Sequence, residues 1–467
     1  MTVHKGENRR ADRPGRELTE GQPAVGAQDR RSSSPRGEAR RLRWILPILA
    51  GLLLLGLAWL SFTADPEITA LRNVVHYKVV QAVGGPRVRS DEPAGELTGT
   101  IQDDSGAPVA GAVVLVASPL GDVYTAESDV SGWYRIDGVP PGRYVPVAGK
   151  RGYDDALEQV CGLGLCFKDA VRVRPGTETQ GVDLTLAPSE PPEVILDDSL
   201  VVSPTVDVEV GAPFPSKSLR THFTFERAGL RVNDCWLYEP LVGEGPLPAM
   251  LLVLPGPVAG WEIIPVPFAA EGFSVLACYP LRGIEIDEDA GDLLTALAYV
   301  REGRVPSRAD PERLALVGAS FTSLHTWRLL QLADLFDVTL VLGGMADGFA
   351  FRHDVEMGTA ETRPPFDQVL MALGFPNASP ELYFRYSVIF HLEKLPAACL
   401  LHGVDDELSP FSQSVELAEE MERQGLAYEF YAYEGLKHYF STRADDATTQ
   451  QMFRDSLDCL RRWMESE

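Results

Sequence analysis

The chain has 467 residues, 45% of them hydrophobic and 23% charged, which is too long for one small module and too apolar for a wholly disordered or fibrous chain. Its formal charge of −25 is unevenly placed: residues 1–43 hold 11 basic and 6 acidic side chains, and the remainder holds 31 and 61. A body that acidic repels phosphate backbones, so nucleic acid is disfavoured as a partner.

Residues 1–43 are rich in Arg, Gly, Ser, Pro and Glu with almost no large apolar side chains, and read as a disordered cytoplasmic tail. From Trp44 to Phe62 the sequence carries no charge, and its 19 positions make a helix about as long as a bilayer's hydrocarbon core is thick. Trp44 and Trp59 sit near its ends, and Arg40, Arg41 and Arg43 precede it. Basic residues beside a span stay on the cytoplasmic side, so the expectation is a single transmembrane signal anchor at 44–62 with the rest of the chain extracytoplasmic at the cell membrane. Cleavage after Ala64 would place the bulky Phe62 at the −3 position, which argues for an uncleaved anchor.

A membrane-proximal linker is expected over 63–94, punctuated by Gly84-Gly85-Pro86. The next stretch, 95–189, reads as a small all-β sandwich. Leu97–Ile101, Val113–Val116, Tyr134–Ile136, Arg143–Ala148 and Val182–Leu186 are apolar or alternating runs, separated by turn residues such as Asp129-Val130-Ser131-Gly132 and Pro140-Pro141-Gly142. Asp103, Asp104 and Asp129 lack the regular spacing of calcium ligands and read as turn formers. Cys161 and Cys166 bracket a short Gly-Leu-Gly-Leu loop and are expected to form a disulfide, whereas Cys235, Cys278, Cys399 and Cys459 read as single buried small residues. No Cys/His pattern suggests a structural zinc or another metal.

Gly99-Thr100-Ile101, Gly106-x-Pro108-Val109-x-Gly111-Ala112, Asp129-x-x-Gly132-x-Tyr134 and Pro141-Gly142-x-Tyr144 together resemble the carboxypeptidase regulatory-like domain, a transthyretin-like sandwich. The resemblance implies a non-catalytic spacer or adhesion unit.

After a second expected linker at 190–219, apolar runs alternate with helical ones from 220 to 467. Candidate strands are His222–Glu226, Val232–Glu239, Ala249–Leu254, Ser274–Cys278, Leu314–Val317, Val338–Leu342, Cys399–His402 and Tyr428–Tyr433. Asp292–Arg301, Ser323–Leu332 and Ser414–Gln424 between them have helical periodicity. The pattern predicts an α/β class domain, a mainly parallel sheet with helices on both faces and its chemistry at the strands' carboxyl ends.

At Leu314-Ala-Leu-Val-Gly318-Ala319-Ser320-Phe321-Thr322 a short apolar strand runs into a small-residue turn followed at once by a helix. That places Ser320 at a nucleophile elbow, with the Phe321 N–H at a helix start, ready to stabilise an oxyanion. A serine hydroxyl needs a base, and the base needs a carboxylate to fix its tautomer. His438 follows the strand near Tyr433, and Asp406 follows the one ending at Leu400-Leu401, with Asp405 and Glu407 as neighbours able to take its place. His402 and His325 are not needed for this triad.

The order Ser320, Asp406, His438 resembles the α/β-hydrolase superfamily, in particular dienelactone hydrolase-like proteins and the catalytic domain of prolyl oligopeptidase-type peptidases. Pro246-Leu-Pro248 before Leu252-Val-Leu-Pro255-Gly256, Ala270-Glu-Gly272-Phe273 and Asp310-Pro311-x-Arg313-Leu314 carry the same resemblance. It implies a metal-independent serine hydrolase without a cofactor: Ser320 as nucleophile, His438 as general base and then acid, Asp406 as orienter, and a small-molecule or peptide substrate. Three departures stand out. Thr322 replaces the usual second elbow glycine. Pro255-Gly256-Pro257 replaces His-Gly-Gly, leaving Gly256, Val258 or Ala259 to supply the second oxyanion N–H. No β-propeller precedes the domain.

The roughly 50 residues between the strands ending at Leu342 and starting near Ala397 exceed a turn plus a helix, so a lid insertion is expected at about 344–395. Met357, Phe366, Met371, Phe375 and Tyr383 would line an acyl or side-chain pocket in it, or pack its own small core. The overall expectation is a membrane-anchored serine hydrolase cleaving ester or peptide-like bonds. The alternatives are a non-catalytic cell-surface binding protein on the same scaffold, or an acyltransferase or thioesterase.

Overall fold

The computed structural model describes residue 63 and residues 66–465, apart from 89–90, 158, 163–164, 169, 191, 284, 363–365 and 394. The expected tail and the anchor from Trp44 to Phe62 lie outside the described residues; among those described, no helix is long and apolar enough to cross a membrane.

The stretch expected as the first linker is largely a helix, α1 (Pro66–Ala82). Pro66 suits a first helical turn, where its missing N–H costs nothing, and Gly84 at φ 105° lets the chain leave the helix. Its tertiary partner, a lid helix some 300 residues away, was invisible to local pattern.

In the sandwich, Gly95–Asp103 pairs antiparallel with Trp133–Val139 and parallel with Leu184–Leu186. A second sheet runs Val123–Glu127, Val113–Ala117, Val147–Gly149, Ala156–Leu157. Leu97, Ile101, Val114, Val116, Tyr134, Ile136 and Leu184 bury their alternating faces between the sheets. The expected strand Arg143–Ala148 divides: Gly142–Tyr144 pairs with Val171–Val173, and Val147–Gly149 joins the second sheet. Asp103 and Asp129 each accept backbone N–H groups two and four residues ahead, which is turn chemistry. The backbone hairpin Gln159–Gly162/Leu165–Lys168 sets Cys161 opposite Cys166, whose side chains lie outside what is described.

The remaining sheet has ten strands. Eight of them, β1 (Ser216–Arg227), β2 (Leu230–Glu239), β3 (Leu247–Val253), β4 (Ser274–Cys278), β5 (Ala309–Ala319), β6 (Val338–Leu342), β7 (Ala397–Gly403) and β8 (Tyr428–Tyr433), lie in the order β1-β2-β4-β3-β5-β6-β7-β8. Pairing is antiparallel from β1 through β4 and parallel from β4 onward. Val201–Val202 and Val206–Val210 pair with β1, so this domain begins inside the stretch expected to be the second linker. Val206–Val210 alternates valine with acidic residues, a period-2 strand signal that the linker reading passed over.

Met250 and Leu252 of β3 face one core and Leu251 and Val253 the other, which is why the central strands read as unbroken apolar runs. α2 (Pro265–Ala270) and α9 (Ala447–Glu465) cover the first face; α3 (Ile286–Arg301), α4 (Ser323–Leu332) and α8 (Ser412–Gln424) cover the second. The four cysteines expected to be single are instead paired: Cys235 with Cys278 across β2–β4, and Cys399 of β7 with Cys459 of α9. Each occupies a core-facing position that reads as packing, and only the strand register at Cys235 and Cys278 and the docking of α9 bring partners together.

Between β6 and β7 lie α5 (Gly348–Met357), α6 (Phe366–Leu373) and α7 (Pro380–Tyr386). Phe349, Phe351, Tyr383 and Phe384 of this insertion share one core with Leu115, Ala117 and Val147 of the sandwich. Phe375 is buried against Tyr77 of α1, and Met357 is 60% exposed. The side chain of Phe366 lies outside what is described. Phe375 and Tyr383 are therefore packing residues, not the walls of a pocket, because α1 and the sandwich fill the space beside them.

Candidate active site

Ser320 stands where β5 ends and a short 3-10 turn, Ser320–Thr322, leads into α4. Its φ of 52° is the left-handed region that a non-glycine residue enters only when its surroundings hold it there. Several hydrogen bonds do so. Ser323 Oγ donates to the Ser320 carbonyl at 2.6 Å and accepts from Met345 N at 2.9 Å. Thr322, fully buried, donates through Oγ1 to Val253 O of β3 at 2.7 Å and accepts from Ala319 N at 3.1 Å. The residue at the usual glycine position thus fastens the turn to the neighbouring strand. Gly318 is required for close approach: a Cβ there would stand 2.1 Å from Thr326 Oγ1 of α4.

The Ser320 hydroxyl lies 2.7 Å from His438 Nε2. His438 Nδ1 lies 2.8 Å and 3.0 Å from the two oxygens of Asp406. A carboxylate can only accept, so Nδ1 carries the proton and Nε2 is left to accept from the serine. Asp406 also accepts from Leu408 N and Ser409 N, each at 2.9 Å, and its Oδ2 is 3.5 Å from His402 Nε2. Burial alone would raise the Asp406 carboxyl, but hydrogen bonds from His402 and His438 hold it well below the usual carboxylate range. His402 is itself fixed, with Nε2 donating to Ser409 O at 2.9 Å and Nδ1 accepting from Ser414 Oγ at 2.7 Å.

Asp405 and Glu407 do not take this place; the Asp405 N–H instead donates to Leu436 O across to the loop that delivers His438. Gly343, at φ 55°, passes so near Asp406 that a Cβ would lie 3.2 Å from Oδ2. His325 is buried inside α4 against Asp289 and stands apart from the triad residues.

The loop after β3 corrects one expectation. Val258 N donates to Asp234 Oδ2 at 3.0 Å, so this N–H already has a carboxyl partner and is not a ready oxyanion donor. Gly256 is buried, with the Trp261 indole lying where a Cβ would project. Phe321, the other expected donor, follows Ser320 in the 3-10 turn. Asp234 and Ser323 are supporting residues that sequence reasoning missed, since each acts through a partner distant in the chain, whereas His402, set apart from the triad in the sequence, bonds the backbone beyond its strand at Ser409 O.

Comparison with known proteins finds similarity in two regions of the chain. Residues 96–187 match the carboxypeptidase regulatory-like domain, and residues 286–466 match the prolyl oligopeptidase family. No curated protein matches the chain significantly. Among solved structures, similarity extends to the acylaminoacyl peptidase of Pyrococcus horikoshii, at 15% identity over 76% of this chain and 62% of that one with a TM-score of 0.44. A Mycobacterium tuberculosis puromycin-hydrolyzing peptidase aligns at 16% identity over 78% and 69%, TM-score 0.42. A truncated carbohydrate esterase from gut microbiota aligns at 17% identity over 50% and 91%, TM-score 0.41. The chain spans about 62% of the length of the acylaminoacyl peptidases it matches. The chain is thus similar to the carboxypeptidase regulatory-like domain over residues 96–187 and to the prolyl oligopeptidase family over residues 286–466.

Proposed function

We propose that the protein is a serine hydrolase that cleaves ester or peptide-like bonds through an acyl-enzyme. The observation that carries this reading is the continuous hydrogen-bonded line from Ser320 Oγ through the His438 ring to Asp406. In this mechanism His438 Nε2 takes the Ser320 proton as Oγ attacks the substrate carbonyl, then returns it to the leaving group. Asp406, kept ionised, holds the ring in the tautomer that can accept and favours the imidazolium once formed. The developing oxyanion is met by the Phe321 N–H and by a second donor from Gly256 or Ala259. Water then repeats the cycle on the acyl group.

Attachment to a membrane through Trp44–Phe62, with the catalytic domain outside the cytoplasm, belongs to the same proposal. The arginines before that run and the two disulfides of the hydrolase domain support it, since disulfides persist in oxidising compartments. The activity is tested with a panel of short p-nitrophenyl esters and aminoacyl amides on the full chain, with Ser320→Ala as control. Turnover of at least one substrate that vanishes in the variant is expected; equal rates in both would remove the assignment. Protease added to intact cells tests the topology, and should digest the domains from 95 onward while sparing residues 1–43.

A further inference from the structure

The solvent face of α1 is unusual. Leu71, Val75 and Val79 on the helix, with Val83 in the turn just past its end, are 62%, 54%, 56% and 72% exposed. Their four-residue spacing keeps them on one side of the helix, as a stripe roughly 18 Å long. The opposite side is occupied: Asn73 Nδ2 donates to Ala372 O at 2.8 Å and Leu373 O at 3.2 Å of α6, and Tyr77 packs on Phe375. The apolar stripe is therefore not the helix's own packing face, which is already used.

Two observations indicate what covers it. The uncharged run Trp44–Phe62 ends four positions before Pro66, so anything that run enters lies within a few residues of the stripe. Residues 66–88 also carry Arg72, Lys78 and Arg87 against a single acidic residue, Glu67, in a chain whose formal charge is −25. A basic, apolar helix on an otherwise acidic protein is complementary to an anionic lipid surface and to little else on this molecule. We propose that α1 lies on the membrane surface, with Leu71, Val75, Val79 and Val83 in the headgroup region of an anionic phospholipid leaflet. This goes beyond the hydrolase reading and rests in part on the membrane attachment proposed with it. Because α6 is held on the far side of α1, the same contact sets the lid a helix diameter from the bilayer.

The test uses the full chain in vesicles of phosphatidylcholine with phosphatidylglycerol, bearing a nitroxide at Val75→Cys, with Val130→Cys on the sandwich as an exposed reference and the native chain treated identically as background. Power-saturation EPR should show position 75 accessible to oxygen and shielded from a water-soluble nickel chelate, and position 130 the reverse. Equal chelate access at both positions would overturn the proposal, as would spin–spin broadening at 75, which would mean that a second copy covers the stripe. Failure of the chain to stay on the vesicles would overturn it too. Carbonate extraction reads the Trp44–Phe62 anchor separately: a chain extracted by carbonate yet shielded at 75 beforehand would keep this proposal and remove the anchor.

Discussion

The catalytic elbow and the insertion between β6 and β7 are held in different ways. The elbow is self-contained: Ser320, His438 and Asp406 stand at the ends of β5, β8 and β7, fixed by Thr322, Ser323 and His402, all within the hydrolase domain. The insertion, expected from the sequence as a lid, borrows its core. Phe349, Tyr383 and Phe384 are buried against Leu115 and Val147 of the sandwich, Lys168 pairs with Glu381, and Arg385 pairs with Asp155. The contrast shows that the sandwich is no mere spacer: it completes the lid, and removing it would bare an aromatic face. Changes at the elbow should accordingly alter chemistry, and changes at the lid should alter stability and order across two domains.

The largest effect is expected from Asp406→Asn, whose amide no longer fixes the His438 tautomer. Activity on the best ester should fall by about 10⁴-fold. A fall below tenfold would mean that the ring is oriented by something else.

Phe384→Ala comes next, at a cost of about 3–5 kcal/mol for a fully buried aromatic. Hydrogen exchange should accelerate both in α7 and in the sandwich strand Val113–Ala117. Loss of protection in α7 alone would break the idea of a shared core. Thr322→Val removes the hydroxyl that links Ala319 N to Val253 O and should cost roughly 1–3 kcal/mol, read by urea unfolding. Exchange in the sandwich should not change.

The smallest effect sharpens the comparison through pH. Asp347 caps α5 by accepting from Phe349 N and Ala350 N, and burial pushes its carboxyl up to about 6. The unfolded chain would release this proton near 3.8, so between about 4 and 6 the folded state binds more protons and stability falls as pH rises. Burial and the nearby Asp347 also push Glu416 of α8 up, to about 7. Asp347→Asn keeps the cap and should remove this group's part of the decline of the urea midpoint between about 4 and 6. An unchanged slope would show that this carboxyl ionises normally.

What the sequence displayed was local. Ser274–Cys278, Val338–Leu342 and Tyr428–Tyr433 are strands whose ends the apolar runs mark, and Ser323–Leu332 is a helix with the expected ends. The turn before α4 was legible because a strand, a small-residue turn and a helix follow one another in a few residues. What stayed hidden was tertiary. The cysteine pairs are 43 and 60 residues apart in sequence, the bond from Val258 N to Asp234 spans the sheet, and the aromatic residues of the insertion fit a pocket or a core equally well until their neighbours are known. α1 was missed because half of it is apolar toward solvent, so its pattern lacks the single wet face of an ordinary surface helix.

The central claim is that one serine is activated by its surroundings. Treating the folded full chain with a fluorophosphonate probe and mapping the adduct by mass spectrometry tests it most directly. The account predicts modification of Ser320 in the wild type and none in Ser320→Ala; a folded wild type with Ser320 unmodified would contradict it.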